Sequence, residues 1–75
     1  MAGVVIVNSA KEAADELLNR AAATEGRSKN PDHPNCQRVI KKYWEGALVC
    51  EALHKTGDID KAKGFVEGFD ISVQI

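Results

Sequence analysis

Val4, Val5, Ile6 and Val7 are four consecutive β-branched residues. Branching at Cβ favours a pleated backbone, so Gly3–Asn8 reads as a strand. Neighbouring side chains in a strand point to opposite faces, and here both faces are apolar, the pattern of a strand covered on both sides. Such a strand needs a partner. The only other strand-like stretch lies at the far end of the chain, where Asp70-Ile71-Ser72-Val73-Gln74-Ile75 alternates. Ile71, Val73 and Ile75 share one side and Ser72 and Gln74 the other, as in a half-buried strand that reaches the last residue.

Between them the chain reads as three helices with a loop and a turn. Ser9-Ala10-Lys11-Glu12 is a capping-box pattern, and Ala10, Ala13, Ala14, Leu17, Leu18 and Ala21 form a narrow apolar stripe behind it. Gly26 suits the C′ position of this first helix. Arg27 to His33 reads as a loop, because Pro31 and Pro34 disfavour helix at Asn30 and His33. Pro34 opens a second helix, with Asp32 or His33 near its N-cap, and it runs to Thr56. Cys36, Val39, Ile40, Tyr43, Trp44, Ala47, Cys50, Leu53 and His54 cover one broad side of it, opposite Lys41, Lys42, Glu45 and Ala52. Gly46 in its interior costs about 1 kcal/mol relative to Ala, which marks a close contact or a weak point. Gly57 ends this helix and Asp58 caps a third, Ile59 to Gly68. Ile59, Ala62, Phe65, Val66 and Phe69 supply its buried side.

The order β-α-α-α-β describes one small α+β domain over residues 1–75, mostly helical, with terminal strands that pair within the chain or across an oligomer. An isolated two-stranded sheet is marginal, and in a monomer one face of Val4–Val7 and the strand edges stay wet. Below roughly 70–80 residues a core rarely supplies more than ~3–5 kcal/mol. This chain has 75 residues, and its ten alanines each bury little area. A homo-oligomer is therefore expected, most simply a dimer that shares strands across a two-fold axis.

Composition excludes several classes. Val, Ile, Leu and Phe make up 18 of the 75 residues, more than the roughly 20 % below which chains stay disordered. No apolar run approaches the ~20 residues of a membrane helix. No basic stretch leads into a long apolar segment at the N-terminus, so no secretory signal is expected. Two cysteines are too few for a disulfide framework. The expected setting is the cytoplasm, without a membrane. Val4–Ser9 could begin a βα nucleotide unit, but no G-x-G-x-x-G follows. Asp58 and Asp60 suit a cap and a first turn better than a calcium loop. No cofactor is implied.

Ala47 to Ala62, with its Gly57-Asp58 turn and the Lys61-Ala62 that follows, resembles the helix-turn-helix of a tetratricopeptide repeat. There is no second copy, and a solenoid needs about three. The resemblance is local and identifies no family.

Two constellations carry chemistry. His33-x2-Cys36 and Cys50-x3-His54 together make a zinc-type ligand set. On a straight helix, however, Cys36 and Cys50 lie about 21 Å apart, so one site needs a break at Gly46 or ligands from two subunits. Cys50 and His54 alone could form a thiolate–imidazole pair, with no evident orienting group or oxyanion hole. The second constellation is basic. Residues 27–42 carry Arg27, Lys29, Arg38, Lys41 and Lys42 against Asp32, net +4, in a chain of net charge −1. The segment feeds a helix N-terminus, which favours anions, and a basic patch beside acidic ones can steer a protein partner. Overall acidity disfavours DNA. The expectation is a small non-enzymatic regulatory or inhibitory protein that binds another protein. The first alternative is an anion, nucleotide or nucleic-acid binder using those five basic residues; the second is a zinc-supported module.

Overall fold

The computed structural model describes residues 3–74. Its elements are β1 (Val5–Val7), α1 (Ala10–Arg27), α2 (Pro34–Thr56), α3 (Ile59–Glu67) and β2 (Ile71–Val73). The two strands pair with each other in parallel, Val5 opposite Ile71, Ile6 opposite Ser72 and Val7 opposite Val73. Pairing therefore occurs within the chain, and the three helices form the crossover between the strands. The expected strands shorten to three residues each because the ladder ends with two flanking bonds: Val5 N–H donates to Asp70 O (3.0 Å), and Gln74 N–H to Val7 O (2.7 Å). Ile75 lies outside the described residues.

The helix starts follow local chemistry. Ser9 Oγ accepts from the Glu12 amide at 3.1 Å, and Glu12 reaches back one residue further, to the Asn8 amide at 2.6 Å. His33, with extended backbone, is the N-cap of α2 and its Nδ1 accepts from the Asn35 amide. Asp58 Oδ1 accepts from Lys61 N–H. The ends differ more from expectation. Gly57 closes α2 in a left-handed conformation, φ 74°, where an L side chain would be strained. Gly26 does not terminate α1: the helix continues through it to Arg27, and the Ser28 amide makes the closing bond to Thr24 O. After α3, the left-handed residue is Asp70 (φ 57°), not a glycine; aspartate tolerates this region better than most.

The core is one cluster, with Leu17, Val66, Ile71 and Cys50 as its largest fully buried side chains. Ala10, Ala13, Ala14 and Ala21 are buried along α1. Small side chains there let α2 approach closely, and α2 presents Gly46 at the contact. A Cβ at residue 46 would lie 3.1 Å from Leu17 Cδ1 and 3.2 Å from Phe69 Cζ. The glycine thus marks a close contact, and α2 runs through it unbroken. Phe69 sits under a tilted aromatic group, 6.1 Å from the Tyr43 ring and 5.7 Å from Phe65.

The sheet is covered on one side only. Val7, Ile71 and Val73 are buried, whereas Val4 and Ile6 are each 60 % exposed. Among the described residues only α1 and α3 touch the strands, and they leave that second face open, so the two-sided cover implied by the Val4–Val7 run is absent within one chain. The radius of gyration is 12.6 Å, above the ~11 Å typical of a compact chain of this length. The molecule measures 38 × 27 × 15 Å. At 23 residues, α2 spans about 34 Å at 1.5 Å per residue, most of the long dimension.

Gly46 and Gly64 should respond oppositely to alanine. Gly64, inside α3, has nothing within 4 Å of a built Cβ, so Gly64→Ala should gain about 0.5–1 kcal/mol from helix propensity alone. Gly46→Ala meets the rigidly held Leu17, and overpacking of about 1–3 kcal/mol offsets that gain. The expected result by chemical denaturation is no gain, or a loss of up to about 2 kcal/mol, and a larger loss for Gly46→Val. A gain at Gly46 equal to that at Gly64 would show that α1 and α2 are not in close contact there.

Candidate functional site

The exposed surface of α2 is the most unusual feature of the fold. Its buried arc is narrow: Ile40, Gly46, Ala47 and Cys50 are buried, and Cys36, Tyr43 and Leu53 are partly covered. The broad apolar side expected from the sequence is not all inward. Trp44 is 55 % exposed, and Val39 and His54 are exposed too. The cause is geometric. Once the alanine stripe of α1 has drawn α2 close, only a narrow strip of α2 faces α1 and α3.

Six large hydrophobic residues are exposed among the described ones: Val4, Ile6, Val39, Trp44, Leu48 and Val49. Four of them lie on α2. Trp44 lines an open groove of about 540 Å³ with Pro34, Gln37, Arg38, Ile40 and Lys41. A second groove of about 290 Å³ lies between α2 and the α3–β2 corner, where Val39, Lys42, Tyr43 and Phe69 meet Arg20. Arg20 is fastened there. Its Nε donates to Glu16 Oε1 at 3.2 Å, and a terminal guanidinium nitrogen donates to the Phe69 carbonyl. Lys42 Nζ stands 5.7 Å from the centre of the Phe69 ring, within cation–π range.

The five basic residues of 27–42 divide among these places. Arg38 and Lys41 share the Trp44 groove, and Lys42 belongs to the Phe69 groove. Arg38 and Lys42, four apart, are neighbours on one side of α2 and form no ion pair among the described residues. Lys41 is 3.9 Å from Glu45, both exposed, a pairing worth little. Arg27 stands at the end of α1 with its Nε on the Ala23 carbonyl, and Lys29 is exposed in the loop. Neither lines a groove with the other three. The basic segment is thus a cationic flank of α2 plus two separate charges, not a single anion cradle.

The cysteine–histidine set does not converge within one chain. Because α2 is continuous at Gly46, Cys36 and Cys50 stay 14 residues apart on one helix. Among the described residues no group of three or more His, Cys, Asp or Glu side chains is placed to hold a metal ion. Cys50 is fully buried, and that burial pushes its thiol above the ordinary 9.0. A nucleophilic cysteine needs the opposite shift. Arg20, Leu48, Tyr43 and Phe69 were not legible as surface-site residues. The signal that could have found Leu48 is its place four residues after Trp44, on the same side of the helix.

No family model matches the chain, and neither the curated proteins nor the solved structures compared with it show a match. No described helix is long and apolar enough to cross a membrane.

The burial of Cys50 has two measurable consequences. Under native conditions a thiol reagent should label Cys36, which is partly exposed, and reach Cys50 only on unfolding. Fast native labelling of both would contradict the packing. The raised thiol also sets a sign for pH. Below its unfolded pKa the protonated thiol is fully compatible with the fold; as pH rises through that ordinary value the unfolded chain ionises first. Stability should therefore decline through the alkaline range, and by less in Cys50→Ala than in the parent.

Proposed function

We propose that this chain is a small non-enzymatic regulatory or inhibitory protein that acts by binding another protein, with α2 as its recognition helix. The observation that carries the reading is the exposure on one side of α2 of the apolar Val39 and Val49 beside the cations Arg38 and Lys42, with Trp44, Leu48 and Lys41 exposed on a neighbouring side. Large apolar residues left out of a core and rimmed by charge mark interaction surfaces, and Trp and Arg are enriched among binding hot spots. The partner surface that complements Arg38 and Lys42 is acidic with apolar pockets. Burial of the Cys50 thiol favours binding over cysteine chemistry. The spread of Arg27, Lys29, Arg38, Lys41 and Lys42 over separate places favours a protein surface over a compact phosphate.

A photo-crosslinker at Val39, with extract of the source cell as the sample, tests this. The expected result is a discrete crosslinked protein with an acidic surface, lost in Arg38→Glu/Lys42→Glu. Recovery of the same products by parent and variant would overturn the assignment of α2. If the chain instead binds a short single-stranded nucleic acid, with a steep salt dependence abolished by Lys41→Glu/Lys42→Glu, the nucleic-acid reading replaces it.

A further inference from the structure

On α2 the exposed residues Gln37, Lys41, Trp44, Leu48, Glu51 and Lys55 recur at alternating intervals of four and three. That spacing keeps all six within about 80° of arc on an α-helix, the width of a coiled-coil seam. The stripe is about 27 Å long and flanks the buried arc of Ile40, Ala47 and Cys50, about a quarter turn from its centre. Its order is polar, cation, Trp, then Leu, anion, cation, symmetric about Gly46. We propose that this stripe is a self-complementary interface through which two copies of the chain pair, α2 against α2, antiparallel across a two-fold axis. This rests on α2 being a binding helix and assigns one of its faces to a second copy.

The pairing follows from the positions. In an antiparallel pair centred at Gly46, Trp44 of each copy packs against Leu48 of the other, Lys41 faces Glu51, and Gln37 faces Lys55. Each contact occurs twice, as a two-fold interface requires. A parallel pair would set Lys41 against Lys41 and Glu51 against Glu51, so the charges select the antiparallel arrangement as well as permit it. The necessary groups are available. Trp44 and Leu48 are 55 % and 63 % exposed. Glu51 has no ion-pair partner among the described residues, and Lys41 holds only the exposed contact with Glu45. Gln37 uses its amide N–H on the Pro31 carbonyl, which leaves its own carbonyl oxygen to accept from Lys55. The cationic side of α2 with Arg38 and Lys42 lies off the seam and stays open to a different protein.

Sedimentation of the 75-residue chain over a wide concentration range, with emission of its single tryptophan followed in parallel, is the test. The expected result is a monomer–dimer equilibrium in which emission shifts to the blue as the dimer forms. Lys41→Glu and Glu51→Lys each place like charges opposite one another twice, and each should weaken the dimer about tenfold. The double charge swap restores it, and an equimolar mixture of the two single variants forms a mixed dimer in preference to either alone. Trp44→Ala should weaken pairing by about a hundredfold or more while circular dichroism shows an unchanged fold. A monomer at every concentration overturns the proposal. So does a dimer indifferent to all of these changes, which would place the contact elsewhere, such as the open sheet edges. Capture of a protein partner by the Arg38–Lys42 side is read separately, so a failed dimer and a failed recognition helix give different results.

Discussion

The structure depends on how closely α1 lies against α2. Alanines on α1 and Gly46 on α2 remove the side chains that would hold the two helices apart, and Leu17 fills the space left between them. Close approach compensates in part for a core poor in large residues, because dispersion contacts accumulate with packing density more than with residue size. It also has a consequence for the surface. A helix held close by small residues can bury only a narrow strip, so the larger apolar residues of α2 on either side of that strip remain outside. The exposed Trp44 and Leu48 and the buried Gly46 and Ala47 therefore have a single cause.

Much of the fold was legible because local chemistry decided it. Proline at the first turn, a left-handed glycine at the end and an unbroken helical pattern between them mark α2 from Pro34 to Thr56 without tertiary information. Ser9 and Asp58 act as caps for the same reason. Gly26 was the misleading signal. A glycine can end a helix but need not, and here the Ser28 amide still finds Thr24 O one turn back. The strands were legible in type and place, but not in direction or extent. A run of β-branched residues says that the backbone is extended; it does not say how many helices will be available to cover it. With α1 and α3 covering only one face, Ile6 is left to solvent while Val7 is buried.

The candidate site was harder to read, and the reason is again packing. Hydrophobic periodicity assigns Trp44 to the buried side of α2, since a wheel cannot tell the middle of an apolar arc from its edge. Only the position of α1 sets where the edge falls. The basic residues had the reverse problem. Arg27, Lys29, Arg38, Lys41 and Lys42 are close in sequence, yet a loop and a helix distribute them over different sides, so their summed charge overstates any local field. The cysteine–histidine set depended on whether α2 breaks at Gly46. It does not, because the glycine there provides contact and not flexibility.

The thin core and the exposed stripe bear on each other. A chain of this size whose sheet is covered on one face has little stability to spare, and Trp44 and Leu48 facing water add nothing to it. If two copies bury that stripe, association and folding become linked, and apparent stability rises with concentration. The charges then acquire a second role. Lys41 and Glu51 contribute little as exposed ions on a monomer, but opposite one another at the ends of a short apolar seam they set direction and register. Trp44 and Leu48 alone could pair in several offsets. This division of labour, in which apolar contact supplies affinity and flanking charge supplies orientation, needs only one stripe on one helix. It leaves the Arg38–Lys42 side of α2 facing outward on both copies, so a pair of chains would present two cationic surfaces to one acidic partner, and binding through both would exceed the affinity of either.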